Sequence, residues 1–286
     1  MGARFQPLGD GLLRPGRARR TSVWSVLSRL VLAVAISVTL GFLLLPLLAL
    51  FLSMSPVDLI SRLHASVAYQ ALPLSLETTF VSLIVIIAFG TPVAYWLARQ
   101  SFRGKRVVEV ILKLPIVSPP AVTGVGLLLI FGRTGLLGHA LSVLGVKVAF
   151  SAIAVVFAQI FVAGPFYIIN SQQAFANVDE RLLEVSRTLG QSSWATFRRT
   201  VVPLAFPGIV AGAAMSLARA LGEFGATIVF AGNLPGRTQT LPLAIYTSLQ
   251  YDPEAAVAMS ALLISIAFSL LLVVSLMDRR ANLGIR

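Results

Sequence analysis

No cysteine occurs among the 286 residues. That excludes a disulfide framework, a cysteine-ligated zinc cluster and a thiol nucleophile. Histidine is almost as scarce: His64 and His139 lie far apart in non-matching loops, a poor basis for a metal site or a proton relay. The phosphate-cradling form GxxxxGK[ST] is missing, so the chain does not bind and hydrolyse ATP by that route. Carboxylates are not clustered, which sets aside an intramembrane enzyme. No internal repeat of the kind common in inverted-repeat secondary transporters is visible. Charge itself is thin, at 12% of residues, where a soluble domain carries about 25%.

What fills the chain is apolar: 57% of it. The apolar residues gather into six runs near the ~20 residues a helix needs to cross a bilayer. They lie at about 30–53, 74–98, 107–131, 151–170, 206–231 and 256–277. In hydrocarbon the backbone must satisfy its own hydrogen bonds, and no run alternates as a barrel strand does, so helices are expected. The first run follows Arg14, Arg17, Arg19 and Arg20. It is longer than a signal-peptide core of about 7–15 residues and no clear cleavage site follows, so an uncleaved first span is expected.

The net charge of +12 has a topological explanation. With the N-terminus inside, the cytoplasmic segments hold Arg4, Arg14, Arg17, Arg19, Arg20, Arg29, Arg99, Arg103, Lys105, Arg106, Arg181, Arg187, Arg198, Arg199, Arg279, Arg280 and Arg286. The outer loops hold only Arg62, Arg133, Lys147 and Arg237. This bias places both termini in the cytoplasm, with some attraction to anionic membrane lipid. Basic residues spread over four segments do not make a nucleic-acid surface, and no nucleic-acid partner is expected. The division that follows is a basic cytoplasmic tail at 1–28, a polytopic membrane domain at 29–280 and a tail at 281–286.

One cytoplasmic segment, within 171–205, is unusually polar. From Asp179 to Leu189 the apolar residues Leu182, Leu183, Val185 and Leu189 mix with charge, which predicts a short amphipathic helix. Asp179 and Glu180 complement its dipole. Gly190 supplies the positive φ that turns the chain, and Ser192 or Ser193 caps a second helix over 194–200. Pro203 and Pro207 mark the return to the membrane. A solvated connector would also account for these residues. The competing role is docking, with Leu189 and Trp194 as apolar anchors.

Glu184, Gly190 and Pro203 stand in the register E-A-A, three residues, G, nine residues, I, one residue, L-P. This resembles the "EAA" loop of the permease subunits of binding-protein-dependent ABC importers. Val185 and Ser186 replace the usual alanines, and Thr200 and Val202 hold the aliphatic positions. Two further segments, ARALGEFGATIVFAGNLPGRTQTLPLAIY (218–246) and LPIVSPPAVTGVGLLLIFGRTGLLG (114–138), resemble the molybdate importers of that family. The likeness covers most of the chain from about residue 70.

The resemblance implies an all-α membrane protein with the six-helix type I ABC importer permease fold. It implies a homodimer, a partner ABC ATPase that holds ATP–Mg, and an extracytoplasmic oxyanion-binding protein that delivers molybdate or tungstate. The chain itself would bind no cofactor. Glu184, Arg187, Leu189, Gly190, Trp194 and Pro203 would form the ATPase-coupling loop. Arg133, Asn233, Arg237 and Gln239 would face the binding protein.

Arg219 and Glu223 are charges in an apolar run, each costing about 2.5–3.5 kcal/mol on insertion scales. Four residues apart, they can pair on one helix face. A packing role and a place on the translocation path or gate are both open for them. A free glutamate would repel an oxyanion, which favours gating or packing for Glu223. Thr227 stands one turn beyond, beside the small Gly225 and Ala226, which permit close helix approach. Pro115, Pro119 and Pro120 break the third span, which is expected to be buried or to line a cavity. Lys113 is expected to snorkel to the inner interface. Arg219, Glu223, Thr227, Pro119 and Pro120 are therefore the path or gate candidates. The alternatives are a sulfate or thiosulfate permease and, in another class, an ion-coupled secondary anion transporter built on Arg219, Glu223 and Lys113.

Overall fold

The computed structural model describes residues 23–65 and 67–283. The expected tail at 1–22, its arginines, and the end at 284–286 lie outside the described residues. Every regular element among the described residues is a helix. Helix α1 (Val23–Leu52) is predominantly apolar beyond Arg29 and carries Pro46 inside. At 30 residues it exceeds the ~20 needed for a span.

From Leu50 onward the remaining helices form a second unit. They are α2 (Pro56–Ala65), α3 (Ala68–Arg99), α4 (Lys105–Val117), α5 (Pro120–Phe131), α6 (Gly138–Val143) and α7 (Ala152–Ala176). After these come α8 (Glu180–Thr188), α9 (Ser193–Thr196), a π-helical turn (Phe197–Val201), α10 (Val202–Leu221), α11 (Gly225–Phe230), α12 (Leu241–Tyr251) and α13 (Pro253–Leu283).

The centre of this unit is α3, α7 and α10, held by means that suit lipid. Hydrophobicity does not drive helices together in hydrocarbon, so small residues and hydrogen bonds must do so. Gly90 of α3 leaves room for the Tyr167 ring: a β-carbon there would sit 2.9 Å from it. Thr91 Oγ1 lies 2.6 Å from the same tyrosine's hydroxyl. Gln159, buried on α7, donates to Thr79 Oγ1 at 3.2 Å and to the Ala220 carbonyl at 3.2 Å, joining all three helices. Ser216 donates to the Ala163 carbonyl at 3.0 Å. On the side expected to face outward, α2 meets the start of α13 through Arg62, which pairs with Asp252 at 3.5 Å and with Glu254. The Leu241 N–H donates to Ser75 Oγ at 2.6 Å, fixing α12 on α3.

The expected spans are present, the third broken as its prolines predict and the fifth with one correction. Among the described residues five helices are long and apolar enough to cross a membrane, and a sixth crossing is present if α4 and α5 are counted together. The prolines expected to break the span at 107–131 do so: α4 and α5 are bent by 111°. Ser118 and Pro119 are extended, with ψ of 130° and 133°, because each precedes a proline and is driven from the helical region. The fifth run, expected unbroken over 206–231, stops at Gly222 and restarts as α11. Short helices α2, α6 and α12 occupy stretches read as loops.

Candidate functional site

The 179–203 segment folds as a helix, a turn and a helix. Asp179 caps α8 by accepting from the Arg181 N–H at 3.0 Å. Gly190 has φ +79°, which a side chain would strain. Ser192 accepts from the Ala195 N–H at 3.3 Å. The second helix was expected over 194–200 with a break before Pro203. Instead α9 runs through the π-helical turn directly into α10, and Pro203 sits in the first turn of α10. A proline there removes one donor from a continuous helix, and the irregular π-helical turn lies immediately before it.

The two faces of α8 differ. Leu183 and Ser186 turn inward and are buried. Ser186 Oγ lies 3.1 Å from Thr196 Oγ1, which locks α8 against α9. Leu183 belongs to a core with Ala94 of α3, Phe175 of α7, Val201 and Ala205. Tyr95 packs edge-on against Phe175 and Phe197, with centroids 5.4 and 4.8 Å away. Arg99 donates to the Val178 carbonyl at 3.1 Å. The outer face carries Glu184, Arg187 and Val185, all exposed. Leu189 and Trp194 are 76% and 68% exposed. A charged loop therefore presents two large apolar side chains to water while its inner face is bolted to the ends of α3 and α7.

The second group lies where the two interrupted spans meet. Pro120, at the start of α5, abuts Gly225, at the start of α11. Gly124 faces Val229 and the Ala226 carbonyl so closely that a β-carbon there would lie 2.6 and 2.9 Å from them. The two short helices thus pack backbone to backbone from their breaks outward. Glu223 sits in the turn just before α11, buried to 2% exposure. Its Oε2 pairs with Arg219 Nη1 at 2.7 Å, and its Oε1 accepts the Ala226 N–H at 2.8 Å. The Arg219 side chain is 31% exposed. Thr227 is fully buried, and its hydroxyl has no partner. Pro119 and Pro120, expected to be buried or to line a cavity, are exposed within the single chain. Pro115 does line an apolar cavity of about 430 Å³ between α3, α4 and α7. Lys113 is exposed.

The third group divides. Arg133 and Arg237 are exposed. Gln239 is buried between buried Thr238 and Thr240, so it offers no surface to a soluble partner. Asn233 turns inward to donate to Thr247 Oγ1 at 2.7 Å. Polarity alone suggested an exposed loop; Gln239 is instead buried, and Asn233 ties the loop to α12. Ser186, Thr196 and Tyr95, which hold the 179–203 segment, carried no signal, because their pairing is tertiary. Among the described residues no group of histidine or acidic side chains could hold a metal.

The family of binding-protein-dependent transport system inner membrane components matches residues 90–283. A molybdenum transport system permease of Mycobacterium tuberculosis, ModB, is 39% identical over 226 residues, 79% of this chain and 86% of the relative. The ModB protein of Escherichia coli K12 is 38% identical over 204 residues, 71% of this chain and 89% of its own length. A probable sulfate transport permease, cysT of Chlorokybus atmophyticus, is 34% identical over 206 residues, covering 72% of each chain. Among solved structures, a bacterial ABC transporter that imports alginate superposes with a TM-score of 0.69 at 18% identity, covering 90% of this chain and 96% of that one. At that identity the likeness speaks for the fold.

Proposed function

This chain belongs to the family of binding-protein-dependent transport system inner membrane components, and on that premise we propose that it is the membrane-spanning subunit of an ATP-driven importer of molybdate, with tungstate as a related cargo. It is a multi-pass membrane protein of the ABC importer permease fold. The observation that carries the coupling reading is the 180–201 element: an exposed Leu189 and Trp194 on a rigidly held helical turn. Truly solvated connectors do not need apolar anchors; interfaces do.

In this reading Glu184, Arg187, Leu189, Gly190 and Trp194 meet a partner ATPase, with Pro203 at the base. ATP and magnesium are held and the ATP is hydrolysed there, and this chain holds no cofactor of its own. ATP draws the ATPase pair together, and two copies of this chain, one per pore wall, follow through α8 and α9. The core shared with α3, α7 and α10 conveys that movement. At the far end the buried Glu223 and the Pro120–Gly225 contact bind two broken helices into one unit. Arg219, Glu223, Thr227, Pro119 and Pro120 border the path as gate or packing residues. Selectivity rests mainly on a soluble oxyanion-binding protein at the outer face, and the membrane in question is the cytoplasmic one. Sulfate is the second reading for the cargo, favoured by the 34% identity to the cysT relative.

Co-purification with the candidate ATPase tests the coupling. Wild type should retain the ATPase; Gly190→Pro, whose φ is fixed near −65° where +79° is needed, should lose it while remaining inserted in the membrane. Absence of any ATPase on wild type, under conditions where related complexes survive, would move the proposal to an ion-driven transporter.

A further inference from the structure

A cavity of about 470 Å³ opens between the end of α5, helix α6 and the 146–150 segment. Its lining includes Arg133, His139 and Lys147 and no acidic residue. None of the three makes a side-chain hydrogen bond or ion pair among the described residues. The acids of the outer loops are engaged elsewhere: Asp58 with Ser55 at 2.6 Å, and Asp252 and Glu254 with Arg62. Topology drains lysine and arginine from outer loops, yet two of the four that stay, Arg133 and Lys147, line this one cavity.

The walls are fixed. The Leu137 N–H donates to the Ile130 carbonyl at 2.8 Å and Leu136 to Leu129 at 3.0 Å. Phe150 holds φ +58°, the only positive value on a non-glycine residue among those described, with its N–H on the Phe230 carbonyl at 3.3 Å. Such strain persists only where surroundings enforce it. Val148 belongs to the core that includes Ala226 and Phe230 of α11, so the cavity stands on the gate helices.

Resting on the importer reading, we propose that this cavity receives acidic side chains of the soluble oxyanion-binding protein and is its principal electrostatic anchor. Phe131, Val146 and Ala149 also line it. That apolar lining suits the methylene stem of an aspartate or glutamate, and a hydrated inorganic dianion would gain nothing from it.

The test measures binding of the molybdate-loaded binding protein to the intact permease–ATPase complex in nanodiscs, at low and high salt. Wild-type affinity should fall with salt. R133E/K147E should weaken it by about tenfold or more, and the neutral pair R133Q/K147Q by about threefold, with a flatter salt dependence. Unchanged affinity and salt dependence in both variants would overturn the anchor while leaving the importer reading in place. Uptake lost at unchanged affinity would overturn it in favour of a site for the free anion. If wild type binds no such protein at all, the importer reading itself fails.

Discussion

Glu223 divides its carboxylate between two partners, Arg219 on α10 and the Ala226 N–H that opens α11. Glu223→Gln keeps an acceptor for Ala226 and removes the charge; Glu223→Ala removes both. Severing a buried ion pair costs about 3–5 kcal/mol. Arg219 is a third exposed, so the alanine variant should lie near the lower end, about 3 kcal/mol, with the glutamine variant at roughly half that. Thermal unfolding in detergent should rank wild type above Gln above Ala. Equal midpoints for all three would leave the pair without a stabilising role. The pairing was legible in the four-residue spacing. The break between the partners was not, because Gly222 stands in an apolar run where glycine is tolerated in membrane helices. Only the buried carboxylate capping a new helix explains why the chain stops and restarts there.

Whole elements meet with little to spare at α5 and α11. Gly225→Ala would put a methyl into Pro120, and overpacking of this kind costs about 1–3 kcal/mol. The variant should keep its ATPase yet transport more slowly, read as uptake per complex. Normal uptake would show that the contact is not part of the path. At the opposite end, Leu189→Ala with Trp194→Ala should weaken ATPase binding by at least ~30-fold, the hot-spot scale of about 2 kcal/mol or more. Insertion should be unaffected, since both side chains point away from the core. The amphipathic pattern of 179–189 was enough to read α8, and Gly190 and Ser192 mark its turn and the next cap as expected. The π-helical turn and the run of α9 into α10 were not readable. Pro203 looks like a breaker in sequence and turns out to lie within a continuous helix, just past the π-helical turn. Helices α2, α6 and α12 escaped because each is short and lies in polar, proline- or glycine-flanked sequence, where periodicity has too few turns to register.

For the molecule as a whole, hydropathy gave the number of crossings, motif spacing gave the family and the prolines gave the break in the third span, whereas the break at Gly222 was not legible. Gln239 is the clearest misreading: a polar residue in a loop, buried to 3% exposure because the loop packs back onto the body. The cysteine-free chain makes any introduced thiol unique. Pro119→Cys, exposed within one chain, should react with a water-soluble thiol reagent in the assembled importer and change its rate when ATP is added. A rate indifferent to ATP would place the break away from the moving path. The central claim is tested most directly by reconstituting the chain with its ATPase and oxyanion-binding protein in liposomes and following labelled molybdate. The account predicts uptake that requires all three components and ATP and that excess unlabelled molybdate suppresses more strongly than equal sulfate. Uptake by the chain alone, driven by an ion gradient and indifferent to ATP, would contradict it.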